Sequence, residues 1–340
     1  MAPWPGFDRL ASDLTRVRAS MATVTAIEPA AVERPFTHYV QHQGRLFRPV
    51  LTLTSAYLFG APRSTSERER LVAACTGLEL IHLATLCHDD ICDQAATRRG
   101  RPTVHAAFGT EAALVSGDYL LACGTSALAT LGGRPARLAG DTLRELCRGQ
   151  QLEMVDRYDV ARTEEAYLSA ISGKTAALMS AATRLGAALG GASEADQDTM
   201  AAFGHSLGLA FQIWDDVLDI WAPPGVTGKP PVKDIENGVY TLPVIYALRE
   251  SWRHGGELPR VLKQRPATPD ELDEVVRLLG ELGVRERAVA VARHHVDEAL
   301  AATRRVDCPP EAATALVEVA RRLLPEIEPL LPTRPDTVSR

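Results

Sequence analysis

Aromatic side chains are scarce, at 5% of 340 residues, and runs of β-branched residues are short. Both absences count against a sheet-built core, while abundant Ala and Leu favour helices. No C-x-x-C pair and no zinc-type spacing occurs among Cys75, Cys87, Cys92, Cys123, Cys147 and Cys308. These cysteines read as free thiols of a reduced protein. No basic run interrupts a chain of net charge −6, so nucleic acid is not an expected partner. No continuous apolar stretch occupies residues 1–10, which makes a cytoplasmic protein the expectation. No solenoid-type repeat is present. What is there, 46% hydrophobic and 24% charged residues, is the balance of a globular protein able to bury a sizeable core.

Helical periodicity dominates the chain. It predicts helices over about 7–20, 46–58, 66–91, 110–131, 135–158, 163–189, 194–220 and 234–250, with three or four more to Leu330. Ser66 with Glu69 reads as a capping box, and Thr163 precedes Glu164 and Glu165 in a first turn. Residues 222–234 are too rich in proline and glycine for a helix, and the polar tail 332–340 is expected to fray. Nothing between resembles a linker, so residues 1–340 read as one all-α domain with its core over about 30–330. The apolar stretch 112–131 is long enough to cross a bilayer, but Asp118 near its middle favours a buried helix over a transmembrane segment.

Two copies of D-D-x-x-D carry the chemistry. Asp89, Asp90 and Asp93 end one apolar helix, and Asp215, Asp216 and Asp219 lie in another, after Gln212 and Trp214. Helical residues four apart stand one above the other, so each copy makes a two-carboxylate face with the middle acid flanking. Three acids in an apolar helix cost free energy unless cations neutralise them, and magnesium pairs carboxylates with substrate phosphates. One copy alone reads equally well as a solvated acidic turn. Two copies, each after an apolar helical stretch, point to metal ions and a diphosphate between opposed faces.

Arginines supply the complement. Arg98 and Arg99 follow Asp93 and precede Gly100, which reads as a helix end. Arg45 and Arg48 flank Leu46 and Phe47. Guanidinium forks suit phosphate oxygens, which favours diphosphate binding over plain surface charge. Lys174 and Lys229 are weaker candidates, each alone as well explained by solvation. His82 and Thr85 fall on the face of the first acids; for His82 a hydrogen-bonded core histidine is an equal reading.

Together these residues resemble the trans-isoprenyl diphosphate synthases (the polyprenyl synthetase family), over about Gln43 to Leu248. Gly44-Arg45-x-x-Arg48-Pro49 is similar to the family's G-K-x-x-R-P. His82-x-Ala84-Thr85-x-x-His88-Asp89-Asp90-x-x-Asp93 with Arg98-Arg99-Gly100 resembles its first acidic motif. Gly173-Lys174-Thr175, Phe211-Gln212, Asp215-Asp216-x-x-Asp219, Gly228-Lys229 and Thr241-Leu242-Pro243 match later blocks. The resemblance implies a bundle of roughly ten to thirteen antiparallel helices around a deep cavity, and a homodimer. It implies that both acid sets, with Arg98, Lys174, Thr175, Gln212 and Lys229, hold an allylic diphosphate through magnesium, with three ions per site. Asp89, Asp93 and Asp215 are the implied direct ligands, Asp90 and Asp216 acting through water or neighbouring groups. Arg45, Arg48, His82 and Arg99 are implied to hold isopentenyl diphosphate. Three positions depart: Arg45 for lysine, Leu46 for a frequent arginine, and Val239 where a lysine often precedes Thr-Leu-Pro.

Product length is the remaining expectation. A diphosphate at Asp89 sends its tail back along its helix, where Ile81, Ala84 and Thr85 form the first possible floor. Ala84 and Thr85 are small, as are Ala122 to Thr125 opposite, which suggests a geranylgeranyl or longer product; close packing by small residues is the competing explanation. Three rival functions stand beside this one. A terpene cyclase would carry a different second metal motif. A metal phosphohydrolase would join His88 and Asp89 to His38 or His42, and a silent synthase subunit would need a partner.

Overall fold

The computed structural model describes residues 9–42, 44–60, 62–222, 232–265, 268–308 and 316. The chain opens with α1 (Leu10–Thr25), α2 (Ala30–Gln41), α3 (Phe47–Phe59) and α4 (Thr65–Cys92). A two-residue hairpin, β1 (Thr97–Arg98) and β2 (Arg101–Pro102), leads to α5 (Val104–Phe108), α6 (Thr110–Ala129) and α7 (Gly133–Val155). Then come α8 (Glu164–Ile171), a π-helical segment (Ser172–Ala176), α9 (Ala177–Leu189) and α10 (Glu194–Trp221). The series closes with α11 (Lys233–Glu236), α12 (Leu242–His254), α13 (Leu258–Lys263), α14 (Pro269–Glu281) and α15 (Val284–Thr303). The all-α expectation holds.

Several boundaries differ from the sequence expectation. The helix expected over 234–250 is two, because Gly238 has φ 74° and Pro243 opens α12. Helix α4 is capped by Ser64, whose Oγ accepts from the Glu67 N–H at 3.1 Å, not by Ser66. Arg98 and Arg99 lie on no helix. Helix α4 stops at Cys92, and Arg99 and Gly100, with φ 54° and 71°, make the hairpin turn. Helix α2 had no sequence signal, since Pro35 sits inside it.

Helix α4 divides the core. One face joins Leu78 and Ile81 to a cluster with α7, α9, α10 and α12–α15; the other joins Leu80, Leu83 and Ala84 to α1, α2, α3 and α6. Helix α6 is not the buried helix expected. Only 33% of its apolar window is covered, against 72% in α4, which also has the length and hydropathy to span a membrane. Its buried stripe, with Gly117 and Gly124, faces α4, and Leu114 and Val115 are each 53% exposed on the other side. Gly124 serves close approach, since a Cβ there would lie 2.8 Å from the Gly77 carbonyl.

Candidate active site

Both acid motifs lie at the C-terminal ends of the two 28-residue helices, α4 and α10. That is the negative end of the helix dipole, so acids there gain nothing from the backbone and need an external cation. Burial pushes the Asp89 carboxyl above its usual range, with Lys174 opposing. Asp93 caps α4 and meets Arg157 Nη2 at 2.8 Å. Asp215 is exposed, whereas Asp216 is buried.

The π-helical segment joins the two motifs. Its extra residue per turn sends neighbouring side chains in different directions. Lys174 Nζ donates to Glu153 Oε1 at 2.5 Å and lies in the field of Asp89 and Asp93. Burial works against its ammonium, but Asp89, Glu153 and Asp93 hold it firmly protonated. Thr175 turns to the second motif and donates to Gln212 Oε1 at 2.6 Å. This placement depends on a close crossing of α7, in which a Cβ on Gly149 would collide with the Lys174 nitrogen.

The middle acids are held by neighbouring side chains. Asp90 accepts Arg98 Nε at 2.9 Å and Nη2 at 2.7 Å on one oxygen and the Tyr39 hydroxyl on the other. Asp216 accepts the Tyr167 hydroxyl at 2.6 Å and Gln212 Nε2 at 2.8 Å. Burial raises the Asp216 carboxyl, against those two hydrogen bonds.

A second, cationic site lies beside the first motif. Arg48, Arg99, His82 and Glu79 interact there. Burial brings Arg48 down to about 10, with Glu79 opposing, and raises the Glu79 carboxyl. Arg48 Nε and Glu79 Oε2 are both hidden from solvent without hydrogen-bond partners, an arrangement that awaits a polar ligand. Burial, then Arg48 and Arg99, pushes His82 well below the usual imidazole range, so it is neutral at pH 7. Arg99 is laid over Gly44. Arg45 is exposed near it, and Lys229 lies outside the described residues.

The family profile for polyprenyl synthetase matches residues 29–279. The chain belongs to that family. It is a prenyltransferase of the isoprenyl diphosphate synthase class. A nonaprenyl diphosphate synthase of Mycobacterium tuberculosis is 36% identical over 267 residues, 78% of each chain. Heptaprenyl diphosphate synthase component 2 of Geobacillus stearothermophilus is 34% identical over 292 residues, 86% of this chain and 89% of the other. A farnesyl diphosphate synthase of M. tuberculosis is 35% identical over 295 residues, 83% and 79% of the chains. Similar identities thus span short and long products. The crystal structure of a Caulobacter crescentus polyprenyl synthase complexed with calcium and isoprenyl diphosphate superposes with TM-score 0.84 at 27% identity, covering 93% of this chain and 96% of that one.

The donor set of this prenyl synthetase fits a divalent cation: hard carboxylate oxygens, at the negative ends of two helices. Among the described residues no three His, Cys, Asp or Glu side chains converge on one point. The imidazoles of the phosphohydrolase reading do not assemble. His88 turns to the Leu114 carbonyl of α6, and His38 bonds the Pro102 carbonyl.

Sequence reasoning missed Tyr39, Glu79, Glu153, Arg157 and Tyr167, which carry no local motif. It also missed Gln150, one turn before Glu153, whose amide atoms are both hidden and unpartnered. Val239 is 8% exposed and occupies an apolar position rather than a phosphate contact. Of the chain-length residues, Ile81 faces the central cluster, Thr85 is half-buried, and Ala84 packs fully buried against the α1, α2 and α6 side. Ala84 therefore does not face the central cluster as a simple floor would.

Proposed function

We propose that the chain condenses isopentenyl diphosphate head to tail with an allylic prenyl diphosphate, giving a geranylgeranyl or longer product. The observation that carries this reading is the pairing of two unlike sites about two turns apart along α4, at His82 and at Asp89. An acid-lined site holds Asp89, Lys174 and Gln212, and a cation-lined one holds Arg48, His82 and Arg99. One suits a diphosphate brought with metal, the other a diphosphate bound without it.

Magnesium, three ions per site in this reading, supplies charge neutralisation for the departing diphosphate. Asp89, Asp93 and Asp215 are the residues that would hold it. Arg98, Lys174 and Gln212 grip the allylic diphosphate and, with Lys229, stabilise its negative charge as the carbon–oxygen bond breaks. Arg45, Arg48, Arg99 and His82 hold the second diphosphate so that its double bond faces the allylic carbon, and proximity supplies much of the rate. The released diphosphate takes the final proton. Exclusion of water by the bundle protects the carbocation.

A second copy of the chain is the proposed cover for the exposed stripe of α6, which would make a homodimer, and the cytoplasm is the proposed compartment. The relative named as component 2 motivates the alternative that a different subunit is required.

Elongation of geranyl, farnesyl or geranylgeranyl diphosphate with labelled isopentenyl diphosphate, dependent on magnesium, is the expected result. No elongation of any primer by folded protein would exclude the reading for the chain acting alone.

A further inference from the structure

We propose that Tyr39 and Tyr167 are positioning residues of the two acid motifs: each fixes a middle aspartate, and that aspartate in turn aims a diphosphate-binding side chain. The proposal rests on the diphosphate site assigned above but not on the prenyl chemistry.

The two arrangements match, although beyond the shared D-D-x-x-D the tyrosines and the aimed residues come from unrelated positions. In the first, Tyr39 comes from α2, 51 residues from its partner, and gives its hydroxyl to Asp90 Oδ2. Arg98, from the hairpin, takes Asp90 Oδ1 through Nε and Nη2. In the second, Tyr167 comes from α8, 49 residues from its partner, and donates to Asp216 Oδ2 at 2.6 Å. Gln212, one turn before on α10, takes Asp216 Oδ1 at 2.8 Å. Asp90 is 0% exposed and Asp216 3%, and the tyrosines are 7% and 1% exposed. All four are therefore core groups whose hydrogen bonds decide their orientation.

A carboxylate has two oxygens to give. With the tyrosine on one and the aiming residue on the other, each aspartate is held at both oxygens and its orientation is fixed. Arg98 spends two of its five N–H donors on Asp90 and presents the remainder. Gln212 is fixed from both ends, since its carbonyl accepts from Thr175 and its amide donates to Asp216, which leaves one N–H. Removing a phenol hydroxyl would free Oδ2, let the carboxylate rotate, and release the aimed group.

Inorganic pyrophosphate with magnesium is the probe, and calorimetric affinity is the readout. Tyr39→Phe is expected to weaken binding about tenfold, the usual size for a lost hydrogen bond to a charged group. In an Arg98→Ala background the same change is expected to have no effect on affinity, because there is nothing left to aim. Tyr167→Phe should behave likewise, alone and with Gln212→Ala. Thermal denaturation shows whether each variant is folded, and either tyrosine pair can be read if the other fails. Unchanged affinity in Tyr39→Phe and Tyr167→Phe, or equal losses in both backgrounds, overturns the proposal and leaves the tyrosines as packing. Elongation by the unmodified protein is scored separately. Its failure counts against the prenyltransfer reading, while the pyrophosphate cycle still decides the positioning role.

Discussion

At the scale of single residues, the site is a set of buried charges whose states are set by one another. His82 is held neutral in the folded chain, while an unfolded histidine titrates near 6.5. As pH falls below 6.5 the unfolded chain takes up a proton that folded His82 refuses, so stability is lost from 6.5 downward. His82→Gln should flatten that part of the stability profile, measured by urea denaturation at several pH values. A bound diphosphate reverses the local field, so binding near pH 6.5 should take up a proton. Calorimetry in buffers of different ionisation enthalpy detects it, and His82→Gln should abolish it. Motif residues such as Asp89 and Arg98 were legible because the acids repeat at a fixed spacing and the arginines sit in pairs close to them in the sequence. Tyr39 and Tyr167 were not, because their partners lie some fifty residues away and only tertiary packing joins them.

At the scale of elements, the crossing of α7 over the π-helical segment fixes the reach of Lys174. Gly173 is equally confined, a Cβ there lying 2.5 Å from the Glu145 carbonyl. Gly149→Ala should cost about 1–3 kcal/mol of stability through overpacking. It should lower kcat more than it raises the KM for isopentenyl diphosphate, because it displaces Lys174 and leaves Arg48 untouched. Steady-state kinetics beside denaturation checks both halves. Product length belongs to α4. Thr85→Phe places a ring on the half-buried face behind Asp89 and should shorten the product by one or more units, read by chromatography. Ala84→Phe mixes that effect with overpacking of a fully buried position. The long helices were legible from periodicity and caps. The hairpin was not, since two-residue strands show no alternation, and neither was the π-helical segment, which differs from its neighbours only in hydrogen-bond register.

At the scale of the whole molecule, exposed large apolar side chains occur on several helices, with two adjacent ones on α6. Leu114 and Val115 of α6 and Val155 of α7, 70% exposed, are among the few large apolar side chains in solvent. Val115→Glu should convert the proposed homodimer to a monomer in light-scattering chromatography. A dimer that survives the change would place the interface elsewhere. The sequence signal for α6, an apolar run of membrane length, was real. Its cause was a surface-facing stripe added to a core-facing one, which hydropathy alone cannot separate.

The position of the acids on α4 also makes that helix a scale of length. The 24 residue steps from Thr65 to Asp89 rise about 36 Å, nearly seven helical turns of about 5.4 Å each. A prenyl tail laid alongside gains close to one unit per turn, so a chain of more than about seven units outruns the helix. Beside the early turns of that helix lies a cleft of about 1000 Å³, bordered by Arg70 of α4, Leu131 and Arg184 and carrying no residue of either acid motif. Arginines line it, so the tip of a very long tail reaching there would meet charge and water, and each added unit past that point would cease to gain from burial.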